Sequence, residues 1–329
     1  MPAPSNSTPT GTVVTHPRPT AIPLDLAWLR ETRVNRPAAE QRAATLTARR
    51  SIKRQWQAAW LLRALSCIDL TTLEGSDTPA RVLRLCAKAR QPLRAELIAA
   101  LGLSQTPQVA AVCVYHSRIH NARRALRGSD IPIAAVSAGF PSGQTSFRSR
   151  LLEIEESVEA GASEIDIVIS RAHVLSGDWP ALYDEVAAFR ERCGDAHLKA
   201  ILATGELGTL TNVARASLVC MMAGADFIKT STGKEAVNAT LPVGLVMARA
   251  IRSYHERTGQ VIGFKPAGGI RSTKQALAWQ ILMREELGAP WLAASRFRIG
   301  ASGLLADIER QLHHHATGRY AAAHHIPLS

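Results

Sequence analysis

Two lysines and an acid in this chain have the types and spacing to do carbonyl chemistry. Lys229 closes the apolar run Ala225-Asp226-Phe227-Ile228-Lys229, which continues into Thr230-Ser231-Thr232-Gly233-Lys234. An ammonium group at the end of such a run is costly to bury unless it is paired or neutralised. A lysine with a depressed pKa is uncharged often enough to attack a carbonyl and form a Schiff base. Taken alone, Lys229 reads more readily as a lysine whose side chain reaches the rim. It is not alone. Lys265 holds the equivalent place in Gly263-Phe264-Lys265-Pro266-Ala267-Gly268-Gly269-Ile270-Arg271, 36 residues later (265 − 229). On adjacent parallel strands the two ends lie about 5 Å apart. Ammonium groups that close repel, and each disfavours the charge of the other. The pair moves the reading from rim lysine to nucleophile.

The acid is Asp166, in Glu164-Ile165-Asp166-Ile167-Val168-Ile169. Strand alternation puts Glu164, Asp166 and Val168 on one face. Asp166 fits proton transfer, directly or through a water. It equally fits a salt bridge to the lysines, and the two roles are compatible. Asp69, in Cys67-Ile68-Asp69-Leu70-Thr71-Thr72-Leu73, is a supporting acid of the same kind. Three glycine-rich turns offer backbone N–H groups to an anion: Gly233-Lys234, Gly268-Gly269 and Gly300-Ala301-Ser302-Gly303. The last precedes a helical run at 304–312, whose start adds a favourable dipole. Thr204-Gly205-Glu206 and Gly139-Phe140-Pro141-Ser142-Gly143 either line the same mouth or are ordinary turns.

Positioning these residues takes a particular scaffold. Strand-like runs occur at 66–70, 109–115, 133–137, 164–169, 198–202, 227–229, 262–265 and 297–299. Amphipathic segments lie between them, including 148–160, 181–192, 211–223, 241–258 and 273–287. Such alternation predicts an α/β protein of the (β/α)8 TIM-barrel type rather than a doubly wound sheet. No GxGxxG follows the first strand, so the dinucleotide-binding fold loses its main support. A barrel places catalytic side chains at the C-terminal ends of its strands and phosphate in the loops after strands seven and eight. Lys229, Lys265 and the glycine turns fall there.

The bulk properties bound the rest. The 329 residues are 46% hydrophobic and 20% charged, as in an ordinary globular protein. The net charge of +12 raises the question of nucleic acid. There is no zinc-finger spacing and no RNP-like motif, and only 5% of residues are aromatic. The charge reads instead as a solvated surface plus a phosphate-bearing ligand. Cys67, Cys86, Cys113, Cys193 and Cys220 are odd in number and widely spaced, against a disulfide framework or a structural zinc. No signal pattern opens the chain, and no run approaches the ~18 apolar residues of a membrane span. A reducing cytoplasm, without membrane attachment, is the expectation. The expected organisation is a disordered Pro/Thr/Ser-rich tail over 1–24 and a helical extension over 25–62, with a basic amphipathic run at 38–62. The barrel over 63–315 and a C-terminal tail over 316–329 follow.

The same residues resemble a known family. Asp69 to Leu73, Ala111 to Tyr115, Glu164 to Asp166, Ala203-Thr204-Gly205-Glu206-Leu207, 227–234, 263–271 and 297–302 look like the deoxyribose-phosphate aldolases, which are class I aldolases. The resemblance runs from about Leu26 to the C-terminus. The helical extension and Gly318-Arg319-Tyr320-Ala321-Ala322 resemble the longer, animal-type branch. The resemblance implies a (β/α)8 barrel that reversibly cleaves 2-deoxy-D-ribose 5-phosphate to D-glyceraldehyde 3-phosphate and acetaldehyde, in deoxyribonucleotide catabolism. It implies no metal, no organic cofactor and a small phosphorylated sugar as substrate, and it is compatible with a homo-dimer or homo-tetramer. Lys229 matches the Schiff-base lysine and Lys265 the second lysine that keeps it reactive. Asp166 matches the acid that shuttles protons with a water, and Asp69 a supporting acid near Lys265. Thr232, Gly233, Lys234, Gly268, Gly269, Gly300, Ala301 and Ser302 match positions that hold the sugar and its phosphate. Tyr320 is a counterpart for a C-terminal tyrosine that assists proton transfer in some members. The chain departs from the pattern at Gly303, where Ser or Thr is usual. The loss of one hydroxyl donor there is worth about 0.5–1.5 kcal/mol. His116 follows Tyr115 where proline is common.

Overall fold

The structure is a computed structural model that describes residues 18–52, 54–322 and 326. Eight strands are β1 (Ile68–Thr71), β2 (Ala111–Tyr115), β3 (Ile133–Ser137), β4 (Glu164–Val168), β5 (His197–Ile201), β6 (Phe227–Lys229), β7 (Gly263–Lys265) and β8 (Ile299–Ala301). All neighbouring strands pair in parallel, in the order β7-β6-β5-β4-β3-β2-β1-β8. The remaining edge is closed by bridges Phe264↔Phe297 and Ala267↔Gly300, with the N–H of Gly300 donating to the carbonyl of Pro266 at 2.9 Å. The result is the (β/α)8 barrel that the alternation predicted. Its strands are buried on both faces, which explains their nearly continuous apolar runs.

The helices follow their local signals. Thr273–Leu287 opens with a capping box formed by Ser272 and Gln275, and Leu241–Thr258 ends at Gly259 in the left-handed conformation. Both spans coincide with the amphipathic segments. The last strand begins later than its run suggested, because the Arg296 carbonyl accepts from the N–H of Phe264 in β7 and the N–H of Arg298 donates to the Phe264 carbonyl before Ile299 turns to pair with Ile68. Among the described residues no helix is long and apolar enough to cross a membrane.

The N-terminal extension forms three helices, Leu26–Glu31, Arg36–Arg49 and Arg54–Ser66. The run expected at 38–62 is therefore divided between two helices, which bury Ala43, Leu46, Leu61 and Leu65. The expected boundary at 62/63 falls inside Arg54–Ser66, and that at 315/316 falls inside Leu304–Thr317. Of the tail expected to be loose, 1–17 lies outside the described residues, while 18–24 is docked. The N–H of Ile22 donates to Met222 O at 2.8 Å, and Tyr183 Oη donates to Ile22 O at 2.9 Å. These bonds to the Ile22 backbone are the reason that a stretch without periodicity is nonetheless held.

The main core fills the space between strands and helices. A second apolar cluster, Leu73, Ala111, Cys113, Ala134 and Val136 with Tyr115 and Phe140 against it, comes from the β2 and β3 side of the barrel. The charged residues come from the other strands.

Candidate active site

Alternation along the strands sends seven ionisable side chains into the barrel: Asp69 from β1, Glu164 and Asp166 from β4, Lys199 from β5, Lys229 from β6, Lys265 from β7, and Arg298 just before β8. All seven are buried. Asp166 is the hub. Its Oδ2 accepts from Lys229 Nζ at 2.8 Å and from Lys265 Nζ at 2.7 Å, and its Oδ1 accepts from Lys199 Nζ at 3.0 Å. Lys265 is also paired with Asp69 Oδ2 at 2.5 Å. Lys199 donates to Glu164 Oε2 at 2.6 Å. Arg298 spans the remaining acids, giving Nη1 to Asp69 Oδ1 and Nη2 to Glu164 Oε1, both at 2.7 Å.

Four cations thus face three carboxylates, and one positive charge is in surplus. Burial lowers the pKa of every lysine here, so the partners decide which one yields. Lys265 lies between Asp166 and Asp69, and their attraction outweighs burial and holds it protonated. Lys199 is held protonated in the same way by Asp166 and Glu164. Lys229 has Asp166 alone and shares that oxygen with Lys265. Burial, joined by repulsion from Lys265, leaves its pKa below the ordinary lysine value despite Asp166. Lys229 and Lys265 are direct neighbours in register, so the repulsion inferred from their spacing has a geometric basis. Burial pushes the Asp166 carboxyl up, but Lys199, Lys229 and Lys265 hold it well below the usual carboxylate range.

Of the seven, only Lys229 lines the cavity at the mouth of the barrel, a space of about 380 Å³. Its wall includes Thr232, Gly233, Lys234, Gly268, Gly269, Gly300, Ala301, Ser302 and Gly303, so the three glycine-rich turns singled out in the sequence are brought together. The backbone N–H groups of Thr232 and Gly233 donate to the Glu235 carboxylate at 2.9–3.1 Å, which braces that loop. Thr230 Oγ1 accepts from the N–H of Ala267 at 3.0 Å and ties the β6 loop to the β7 loop. Gly268 has φ +87°, and a Cβ there would stand 2.6 Å from Asn238, so this turn demands glycine. Gly303 is the N-cap of Leu304–Thr317 and has open space where a Cβ would lie.

Other candidates fall elsewhere. Neither Thr204–Glu206 nor the 139–143 turn lines the cavity. Glu206 pairs with Arg171 at 2.8 Å, and the N–H of Gly139 donates to Glu153 at 2.7 Å. His116 is paired with the same Glu153 at 3.1 Å. Tyr320 is 82% exposed and packs on His314 beyond the far end of Leu304–Thr317. That helix rises roughly 1.5 Å per residue away from the mouth. Among the described residues no group of three or more His, Cys, Asp or Glu is arranged to hold a metal ion.

Sequence reasoning passed over Lys199, Arg298, Arg81 and Arg271. Lys199 carried the same signal as Asp166, a charged residue on the inward face of an apolar strand. Arg271 directly follows the Gly268-Gly269-Ile270 turn and lines the cavity, as does Arg81. Arg298 gave no local signal of its inward direction.

Comparisons with known proteins identify the family. The sequence profile of the DeoC/LacD family aldolases matches residues 63–308. The chain is 59% identical over 309 residues to a deoxyribose-phosphate aldolase of Homo sapiens, covering 93% of this chain and 97% of that protein. A deoxyribose-phosphate aldolase of Mus musculus is 60% identical over the same shares. The tetrameric deoxyribose phosphate aldolase from Aeropyrum pernix shares the fold at 22% identity and a TM-score of 0.54, with 80% of this chain and 98% of that one covered. By the profile match and the mammalian identities, this chain belongs to the DeoC/LacD family of aldolases.

Proposed function

We propose that the chain cleaves 2-deoxy-D-ribose 5-phosphate reversibly to D-glyceraldehyde 3-phosphate and acetaldehyde through a Schiff base on Lys229. The observation that carries this reading is that Lys229 is both the surplus cation of a buried network and its one member open to the cavity. The names of the mammalian relatives supply the substrate.

The neutral Lys229 amine attacks the C1 aldehyde of the open-chain sugar, and loss of water leaves an iminium. The C3 hydroxyl gives up its proton as the C2–C3 bond breaks, and that electron pair flows into the iminium. Acetaldehyde carries away C1 and C2, which is why this bond is the one cut. The enamine then takes a proton at C2 and hydrolyses to acetaldehyde and free Lys229. The iminium is the electron sink, so the carbon chemistry calls for no metal ion. Asp166, with a water, carries the proton between the C3 hydroxyl and C2. Removing a proton from Lys229 takes away one of the three cations that hold Asp166 acidic, and so makes it a better base. Lys265 stays charged and supports the low pKa of Lys229, with Asp69 fixing its position. The turns at Gly268-Gly269 and Gly300–Ser302, with Thr232, Gly233 and Lys234, hold the sugar and its phosphate. The five free buried thiols suit a reducing cytoplasm. Assembly as a dimer or tetramer is the state to look for by sedimentation.

Acetaldehyde release from deoxyribose 5-phosphate tests the substrate. Borohydride reduction during turnover, followed by peptide mass spectrometry, tests the lysine. The adduct is expected on Lys229. An adduct on Lys265 reverses the two roles, and an adduct without acetaldehyde release points to another phosphorylated carbonyl substrate.

A further inference from the structure

The sequence departs from the family pattern at Gly303, where a hydroxyl side chain is missing from the phosphate end of the mouth. The structure places a cation, Arg81, on the wall of the same cavity. Arg81 lies in the first turn of helix Pro79–Arg90, which follows β1, and β1 pairs directly with β8, whose loop carries Gly300–Gly303. Arg81 and Leu85, four residues apart on one helix face, both line the cavity. A cation in the first turn of a helix is opposed by the helix dipole, which Asp77 just ahead of the helix offsets only in part. The placement therefore carries a cost that a bound anion would remove.

The side chain is also aimed. Arg81 Nε is paired with Asp77 Oδ1 at 3.4 Å. Asp77 is buried and fixed in turn, accepting from Thr72 Oγ1 at 2.8 Å and from the N–H of Glu74 at 3.1 Å. This grip takes the Nε edge of the guanidinium. The two Nη groups bond no other described residue, and the side chain, 41% exposed, lines the cavity. The one acid on that wall, Glu74, is engaged by Lys234 at 3.0 Å.

We infer that Arg81 is a further phosphate-binding residue, clamping the phosphate monoester of the substrate from the β1 side and replacing the donor absent at Gly303. Asp77 is its positioning residue. The inference rests on the proposed sugar-phosphate substrate. Its test separates the phosphate from the sugar. Steady-state kinetics of Arg81→Gln on deoxyribose 5-phosphate should show KM raised about tenfold or more, the scale of a lost charge-assisted hydrogen bond. On unphosphorylated 2-deoxyribose, KM should move far less. Arg81→Lys should restore part of the loss, and Asp77→Asn should shift KM in the same direction by a smaller factor. Equal shifts for both sugars, or no shift for either, overturn the clamp. Calorimetry with inorganic phosphate reads the same seat without turnover. If wild type releases no acetaldehyde but Arg81→Gln still loses phosphate affinity, the substrate assignment fails and the clamp stands.

Discussion

Lys229 and Lys265 are the same residue type at the same height on neighbouring strands, yet their environments set them apart. Lys265 has two carboxylates and Lys229 shares one. The two should therefore fail differently. Lys229→Leu removes the surplus cation and leaves three cations against three carboxylates. Its melting temperature should stay close to wild type while kcat falls ~10³-fold or more, as for loss of a covalent nucleophile. Lys265→Leu strips a buried partner from both Asp69 and Asp166. It should cost about 3–5 kcal/mol in denaturant unfolding, and with it much of the activity. The pH dependence follows from the same inequality. The amine is active when neutral, so kcat/KM should rise with pH as Lys229 loses its proton. Because its pKa is lowered, that rise should be centred below the ordinary lysine value of 10.5. A rise centred at or above that value would show that Lys229 is not depressed.

At the scale of elements, the strands bring the reacting groups and the loops bring the donors. The β6, β7 and β8 loops meet because their strands are consecutive around the closure, and the bonds of Thr230 to Ala267 and of Gly300 to Pro266 hold them together. Gly303 is where a small change should improve the site. A serine side chain has room there, and the position is a helix N-cap without a capping side chain. Gly303→Ser should tighten inorganic phosphate about 2- to 10-fold, the equivalent of one neutral hydrogen bond. It should raise stability by only a few tenths of a kcal/mol, because glycine is itself a tolerable cap. Weaker phosphate binding in that variant would place the phosphate elsewhere in the cavity.

At the scale of the whole molecule, the barrel is stabilised around a buried ionic layer, which links its stability to pH. Burial raises the carboxyls of Asp69 and Asp166, but the cations around them prevail and hold both below the ordinary value of 3.8. Folding therefore favours their ionised forms. That contribution is fully present above the ordinary carboxylate value and is lost as pH falls below it toward the depressed native values. Thermal melting followed from pH 6 to pH 2 should show Tm falling steeply only below about pH 4. A Tm already falling well above that value would mean that other groups govern acid unfolding.

What the sequence determined by itself was set by short-range pattern. Alternation with a period of two marked the strands and put Asp166 inward. The helical period marked 241–258 and 273–287, and glycine marked the turns that need a left-handed backbone. Those signals place a side chain on a face, and the equal height of Lys229 and Lys265 followed from two similar strand ends. Tertiary structure decided which charges meet. Arg298 reaches Glu164 across 134 residues of chain, and Lys265 reaches Asp166 across 99. Such pairings depend on the stagger of strands around a closed barrel, which no local window contains. The surplus of four cations over three acids, and its assignment to Lys229, exists only once that stagger has brought Lys199 and Arg298 into the same layer. The sequence supplied the neighbouring lysine that repels Lys229, and only the folded chain supplied the burial and the uneven sharing of Asp166 that leave its pKa lowered.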